Sequence, residues 1–270
     1  MDTPTDQAVC LGAMEQVARA PFDRALQRAR LSAFAPGEFV GQESFMRASE
    51  IRALAVEAGI GPGVSVLDLC CGVAGPGRFI AREHRCSYVG VDSSADAVEI
   101  ARERACNLDY HFEVARIPPL PPGPFEVVLL LETMLAFADK PKLLREISRA
   151  LEPGGRFAFT LEEGTPLTKA ERARMPHADT VWLIPLLDVR AMLEDVGLRV
   201  REVDEYTPAH LAVVNALTDA FEADASDIAA QIGRHALDEL LTAHRLWSDW
   251  MRSGRVRKLA LVAVKEEPDP

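Results

Sequence analysis

The stretch Val66-Leu-Asp-Leu-Cys-Cys-Gly-Val-Ala-Gly-Pro-Gly77 carries the main signal of this chain. An apolar run holding one acid, Asp68, stops at two cysteines and passes into a bend with Gly72, Gly75 and Gly77. Glycine lets a backbone turn sharply and lets a ligand come close, and a helix starting from such a bend offers free N–H groups. Strands buried on both faces read as continuous apolar runs, so Val64-Ser-Val-Leu-Asp-Leu69 is expected as a parallel strand, with a helix after it at about 77–83. A second run, Tyr88-Val-Gly-Val91, ends in Asp92, 20 residues beyond Gly72. An acid at that strand end can accept two hydrogen bonds from ribose hydroxyls. Together these features specify an adenosine-type ligand lying across the carboxyl ends of the strands.

The rhythm continues outward. A helix is expected at 95–105, a short strand at 111–114, a Pro-rich loop at 118–124 and a very apolar strand at 125–131. Next come a helix at 140–151, stopped by Glu152-Pro-Gly-Gly155, and a strand at 156–161. Residues 162–183 lack strong periodicity; beyond them a helix at 187–196, a strand at 198–203, two helices within 208–252 and a last strand at 256–264 complete the pattern. Helices at 11–31 and 42–58 precede the sheet, separated by Ala35-Pro-Gly37. Strand and helix alternating in this way give an α/β, Rossmann-like, doubly wound sheet of seven strands.

Composition narrows the partners. The chain of 270 residues is 48% apolar and 26% charged, which suits a globule with a large core. A net charge of -11 repels a polyanion, so no nucleic-acid partner is expected. The basic residues of Arg252 to Lys258 sit among Val256, Leu259 and Leu261 and read as a strand with charged neighbours. The N-terminus lacks a signal-peptide pattern and no run approaches about 18 apolar residues, so the expectation is a cytoplasmic protein with no membrane partner. Cys10, Cys70, Cys71, Cys86 and Cys106 make no zinc spacing, and no metal is expected. Extended neighbours project to opposite sides, so Cys70 and Cys71 read as packed thiols rather than a disulfide or a joint ligand pair.

A dinucleotide fingerprint reads Gly-x-Gly-x-x-Gly directly after the strand. Here Cys70 and Ala74 stand where it takes glycine, and Asp68 would put negative charge beside a pyrophosphate. Asp68 suits a cationic ligand part instead. At this point the chain resembles the class I S-adenosylmethionine-dependent methyltransferases, in their small-molecule branch, over about residues 40 to 204. Val66 to Gly75 looks like the first motif of that family, and Tyr88-Val-Gly-Val-Asp-Ser93 like the second. Phe125-Glu-Val-Val-Leu-Leu-Leu-Glu132 resembles its fourth strand, and Leu143 to Gly155 the helix and turn before its fifth. The resemblance implies a strand order of 3-2-1-4-5-7-6 with the seventh strand antiparallel, N-terminal helices, and a helical insertion before the last strand. It implies a helical lid at 1–60, a cofactor-binding core at 61–265, acceptor-side insertions at 162–186 and 207–253, and a tail at 266–270.

Position by position, the resemblance assigns cofactor contacts to Gln42, Asp68, Cys70, Gly72, Asp92, Ser93, Arg116, Ile117 and Leu131. Asp68, Cys70 and Gly72 would face the methionine part, Asp92 the ribose and Ser93 the adenine edge. Arg116 stands where the family often has an acid for the adenine amino group, and Ala136 where some relatives carry a histidine. Glu132 would lie near the sulfonium and the acceptor. Glu132, His177 and Tyr206 are the candidate catalytic groups. His210, His235 and His244 read singly as surface or packing residues, Trp247 and Trp250 as helix contacts, and Trp182 as a possible acceptor-pocket wall.

The implied activity moves the methyl of S-adenosylmethionine to a small, partly apolar acceptor, such as a secondary metabolite being tailored. It leaves S-adenosylhomocysteine. In-line alignment alone supplies on the order of 7 kcal/mol of such a reaction's acceleration, so a base is optional. A monomer or homodimer is expected. Three other readings stay open: a cofactor-binding cyclase or regulatory partner that transfers no methyl, a nucleic-acid methyltransferase, and a nicotinamide oxidoreductase. Leu131-Glu-Thr-Met134 lacks the Asn-Pro-Pro-type motif of amino-modifying DNA enzymes, and no Pro-Cys pair serves pyrimidine C5 chemistry.

Overall fold

The apolar runs form β1 (Ser65–Leu69), β2 (Ser87–Asp92), β3 (Tyr110–Val114), β4 (Phe125–Leu130), β5 (Leu151–Glu163), β6 (Leu198–Glu205) and β7 (Arg257–Lys265) in a computed structural model. The structure describes residues 24–105 and 110–266. Strand order is β3-β2-β1-β4-β5-β7-β6, with β7 antiparallel to both β5 and β6 and the other pairs parallel. Both the order and the reversed last strand are as the resemblance implies. The helices are α1 (Arg24–Ala33), α2 (Ala48–Glu57), α3 (Gly75–His84), α4 (Ala95–Ala105), α5 (Lys140–Ala150), α6 (Lys169–Arg174), α7 (Leu186–Glu194), α8 (Thr207–Ala223), α9 (Ala225–Ile232) and α10 (Arg234–Arg252).

Side chains alternate across a strand, so each central strand feeds two cores. Val127, Leu129, Ala158 and Val262 pack with Ile51 and Leu54 of α2, Ile80 of α3 and Val98 of α4. Val128, Leu130, Phe157, Phe159 and Leu261 pack on the other face with Leu143, Leu144 and Ile147 of α5 and Val189 and Leu193 of α7. A third cluster joins Leu26 and Ala29 of α1 to Val213, Leu217 and Phe221 of α8, Ile228 of α9 and Leu237 of α10. The N-terminal segment is thus split between layers: α1 belongs to the C-terminal helices, α2 to the sheet.

Several boundaries differ from the sequence expectation. The helix expected at 42–58 begins only at Ala48, because Gln42 bonds the backbone of its own loop and Glu50 caps the true start through the Arg47 N–H at 2.8 Å. Between β6 and β7 run three helices, not two. Ala223-Asp-Ala225 keeps helical apolar spacing through the first break, while Gly233, at φ 90°, makes the second. Strand β5 starts at Leu151 rather than 156: Glu152-Pro-Gly-Gly155 bulges between the pairs Phe125/Leu151 and Val127/Arg156. Residues 162–183 contain the short helix α6. Residues 11–23 of the first expected helix, Cys10, Cys106 and tail residues 267–270 lie outside the described residues. Among the described residues, no helix is long and apolar enough to cross a membrane, and no group of three or more His, Cys, Asp or Glu could hold a metal ion.

Phe159 is fully buried and stacks on Phe157 with ring centroids 4.4 Å apart. Phe159→Ala should lower unfolding free energy by about 3–5 kcal/mol, read by denaturant titration.

Candidate active site at the strand tips

The bend after β1 is built by backbone conformation and one carboxylate. Cys70 and Ala74 adopt left-handed φ values of 57° and 55°, as does Gly72 at 53°. Cys71 donates its N–H to the Val91 carbonyl at 3.1 Å, and Gly72 donates to Asp92 Oδ2 at 2.9 Å. Asp92 Oδ1 accepts from Ser94 N–H at 2.8 Å. Asp92 therefore closes the bend and also holds Ser94, whose hydroxyl accepts from Ala97 N–H at 3.2 Å and caps α4. A Cβ on Gly75 would lie 2.5 Å from the Gly41 carbonyl carbon and oxygen, so two backbones touch there. At Gly77 a Cβ would overlap the Tyr88 hydroxyl and Asp68 Oδ2. Gly72 instead borders open space.

Asp68 is buried and accepts a hydrogen bond from the Tyr88 hydroxyl at 2.6 Å. Loss of water around it pushes its carboxyl up to about 7, with the Tyr88 bond opposing and the Asp92 charge adding. Asp68 and Asp92 thus sense each other across the bend. The two cysteines lie on opposite sides of the sheet: Cys71 packs with Tyr88 and Ala74, Cys70 against the α5 face. Burial pushes Cys70 up to about 12 and raises Cys71 as well. Thiolates are the reactive and metal-binding forms, so these protonated thiols line the bend.

A loop from Ala35 to Arg47 crosses the start of α3. Gln42 holds it: its amide donates to the carbonyls of Glu38 at 2.9 Å and Met46 at 2.8 Å and accepts from Val40 N–H at 2.6 Å. Buried and fully engaged, Gln42 shapes the loop. Arg30 on α1 pairs with Glu43 at 2.8 Å and ties the loop to the helical layer.

Beyond β4 lies a buried ionic cluster. Glu132, at φ 57°, donates its N–H to Thr160 Oγ1 at 2.5 Å. Lys258 on β7 donates to Glu132 Oε2 at 2.7 Å and to Glu162 Oε1 at 2.6 Å. Its ammonium sits 5.3 Å from the Phe45 ring centroid and 5.9 Å from that of Trp247. Burial raises the Glu132 carboxyl, but the Lys258 charge, with His210 adding, and hydrogen bonds from Lys258 and the Phe45 N–H hold it below its ordinary value. Glu132 Oε1, Glu162 Oε2 and His210 Nδ1 are buried with no hydrogen-bond partner. His210 Nε2 lies 3.2 Å from Glu50 Oε2, and Arg47 grips Glu50 Oε1 at 2.7 Å. His210 is therefore neither a surface residue nor an ordinary packing one.

The remaining candidates divide. Ser93 and Arg116 are exposed at the ends of β2 and β3, Ile117 packs on the α5 side, and Leu131 is half-buried on the α2 side. Tyr206 packs its ring 5.8 Å from that of His210. His177 is exposed, with Nε2 3.7 Å from Glu239, and is not gathered with Glu132. Trp182 lies under the Arg172 guanidinium at 4.7 Å. Trp250 is buried against Trp247 at 5.3 Å. Sequence reading missed Lys258, Glu162 and Glu50. Lys258 is no solvent-facing neighbour of a strand, being only 3% exposed. A lysine opening a wholly apolar strand, and a Glu closing one, were the available signals.

A methyltransferase domain model matches residues 60–181. That segment is similar to methyltransferase domains. Phosphoethanolamine N-methyltransferase 1 of Zea mays is 26% identical over 211 residues, covering 76% of this chain and 42% of that protein. The 27-O-demethylrifamycin SV methyltransferase of Amycolatopsis mediterranei is 30% identical over 159 residues, covering 54% of this chain and 58% of that protein. The chain thus spans about half the length of these methyltransferase relatives. Among solved structures, Haemonchus contortus phosphoethanolamine N-methyltransferase 2 in complex with S-adenosyl-L-methionine superposes with TM-score 0.74 at 21% identity, covering 89% of this chain and 56% of that one. It shares the fold of the methyltransferase core.

The raised Asp68 carboxyl gives a signed pH effect. Its value is near 3.8 when unfolded and about 7 when folded, so its contribution is present below pH 4 and is lost as pH rises through 7. Between pH 4 and 8 the stability difference should move in favour of Asp68→Asn by a few kcal/mol, measured by urea unfolding of both proteins. Gly75→Ala, which forces the Gly41 backbone away, should destabilise by about 1–3 kcal/mol in the same assay.

Proposed function

We propose that this chain binds S-adenosylmethionine in the bend after β1 and transfers its methyl group to a small-molecule acceptor held beside Glu132. The observation that carries this reading is the convergence of Asp68, Asp92 and Glu132, from the tips of three adjacent parallel strands, around one glycine-rich bend. The residues fit a nucleoside with a cationic tail. Space opens in front of Gly72, Asp92 keeps lone pairs for ribose hydroxyls beside its two backbone bonds, and Asp68 offers negative charge at the cost of a proton. The cofactor, when bound, supplies a methyl already activated by positive sulfur. The chain then has to align the acceptor and exclude water, a task we assign to the Ala35–Arg47 loop, whose Gly41 backbone meets Gly75, and to α8 and α10, whose Thr207 and Trp247 reach Lys258.

Support for a small acceptor comes from the relatives' names, which specify phosphoethanolamine and a rifamycin, and from the net charge of -11, which disfavours nucleic acid. The same reading keeps the cytoplasmic setting, the monomer or homodimer, the lid at 1–60 and the acceptor-side insertions. It also leaves Ser93, Arg116 and Ile117 at the adenine end.

Calorimetry with S-adenosylmethionine and S-adenosylhomocysteine tests the site. Asp92→Ala should weaken both by about 10- to 100-fold, and unchanged affinity would overturn the assignment. Mass spectrometry of S-adenosylhomocysteine formed with sarcosine, phosphoethanolamine and partly apolar hydroxylated acceptors tests the transfer. Tight binding with no transfer to any acceptor would favour the cyclase or regulatory alternative.

A further inference from the structure

An unpartnered buried ring nitrogen costs a histidine about 1–3 kcal/mol. His244 gives its Nδ1 a partner, 2.8 Å from the Leu240 carbonyl. His210 does not. It is 1% exposed, its Nε2 faces a carboxylate, and its Nδ1 has no partner. The carboxylate is itself anchored, because Glu50 takes both a side-chain and a backbone hydrogen bond from Arg47. A carboxylate opposite Nε2 fixes a proton there and leaves Nδ1 as a lone pair. The ring lies at the Lys258 cluster: its centroid is 6.4 Å from that of Phe45, whose N–H bonds Glu132.

We propose that His210, oriented by Glu50, is the base that takes a proton from the methyl acceptor, and that the acceptor therefore arrives carrying that proton, as a hydroxyl or as an ammonium that becomes the nucleophilic amine once Nδ1 has taken it. This rests on the methyl-transfer reading above. The acceptor's lone pair forms the bond to carbon, and its proton passes to Nδ1. The electron pair of the broken carbon–sulfur bond stays on sulfur, so a sulfonium becomes a thioether and one positive charge moves to the imidazole. Around that imidazole lie Glu50 of α2 and Arg47 just before it, Tyr206 and Thr207 at the start of α8, and Glu132 with its partner Lys258. The carboxylates Glu50 and Glu132 stabilise the charge where it arrives.

His210→Gln separates the two roles of the ring, because its amide N–H can replace Nε2–H toward Glu50 while offering no basic atom in place of Nδ1. Imidazole 15N spectra of the full, ligand-free chain should show the neutral His210 ring protonated on Nε2 and bare on Nδ1, with the signal identified by its loss in His210→Gln. A proton on Nδ1 overturns the proposal. With sarcosine and phosphoethanolamine as probe acceptors, His210→Gln should bind S-adenosylmethionine within about threefold of wild type yet lose on the order of 10²-fold or more in turnover. Glu50→Gln should lose a smaller factor and shift the pH profile. Turnover by His210→Gln within threefold of wild type also overturns it. A wild-type chain with no affinity for S-adenosylmethionine defeats the proposed function instead, and the ring spectra still decide where the proton sits.

Discussion

Because β1 and β2 lie parallel with Leu69 opposite Val91, the bend that leaves one strand and the acid that ends the other meet at the same edge of the sheet. The Gly72 N–H then reaches Asp92, and the Cys71 N–H reaches Val91. A bend closed in this way has fixed donors and no space for extra side chains at Gly75 or Gly77. Everything placed around it, including the Gly41 backbone and the Asp68 to Tyr88 bond, is packed against that closed turn.

The buried charges follow from the same geometry. Strands covered on both faces can carry polar groups only near their tips, and there each charge needs a partner. Lys258 answers Glu132 and Glu162, and Arg47 answers Glu50. Replacing Lys258 alone would leave two desolvated carboxylates, which costs far more than an exposed ion pair is worth. Among the buried polar atoms without a hydrogen-bond partner, those of Glu132, Glu162 and His210 fall in this cluster, where polar groups of a small molecule could complete them.

The Ala35–Arg47 loop connects the glycine bend after β1 to the buried cluster around Lys258. Its Gly41 touches the bend, its Phe45 lies between Lys258 and His210, and its Glu43 ties back to α1. Movement of this loop therefore changes both sides together, and Gln42 sets its shape from within.

The glycine bend, the acids Asp68 and Asp92 and the alternation of apolar strands and helices were legible in the sequence because they arise from local rules: glycine conformations, strand period and fixed short spacings. Those rules placed the seven strands and Glu132. They also left real errors, at the start of α2 and in the number of helices before β7, where side-chain bonds within a loop and a break without turn residues outweighed periodicity. His177 looked better placed than His210 by chain position, yet the fold leaves His177 exposed and buries His210 opposite Glu50, which lies 160 positions away in the chain. Pairings of that kind, like Lys258 with Glu132, depend on which helix lies over which strand tip. Only the tertiary structure decides them, since the energy that fixes a buried charge comes from partners and lost water rather than from neighbours along the chain.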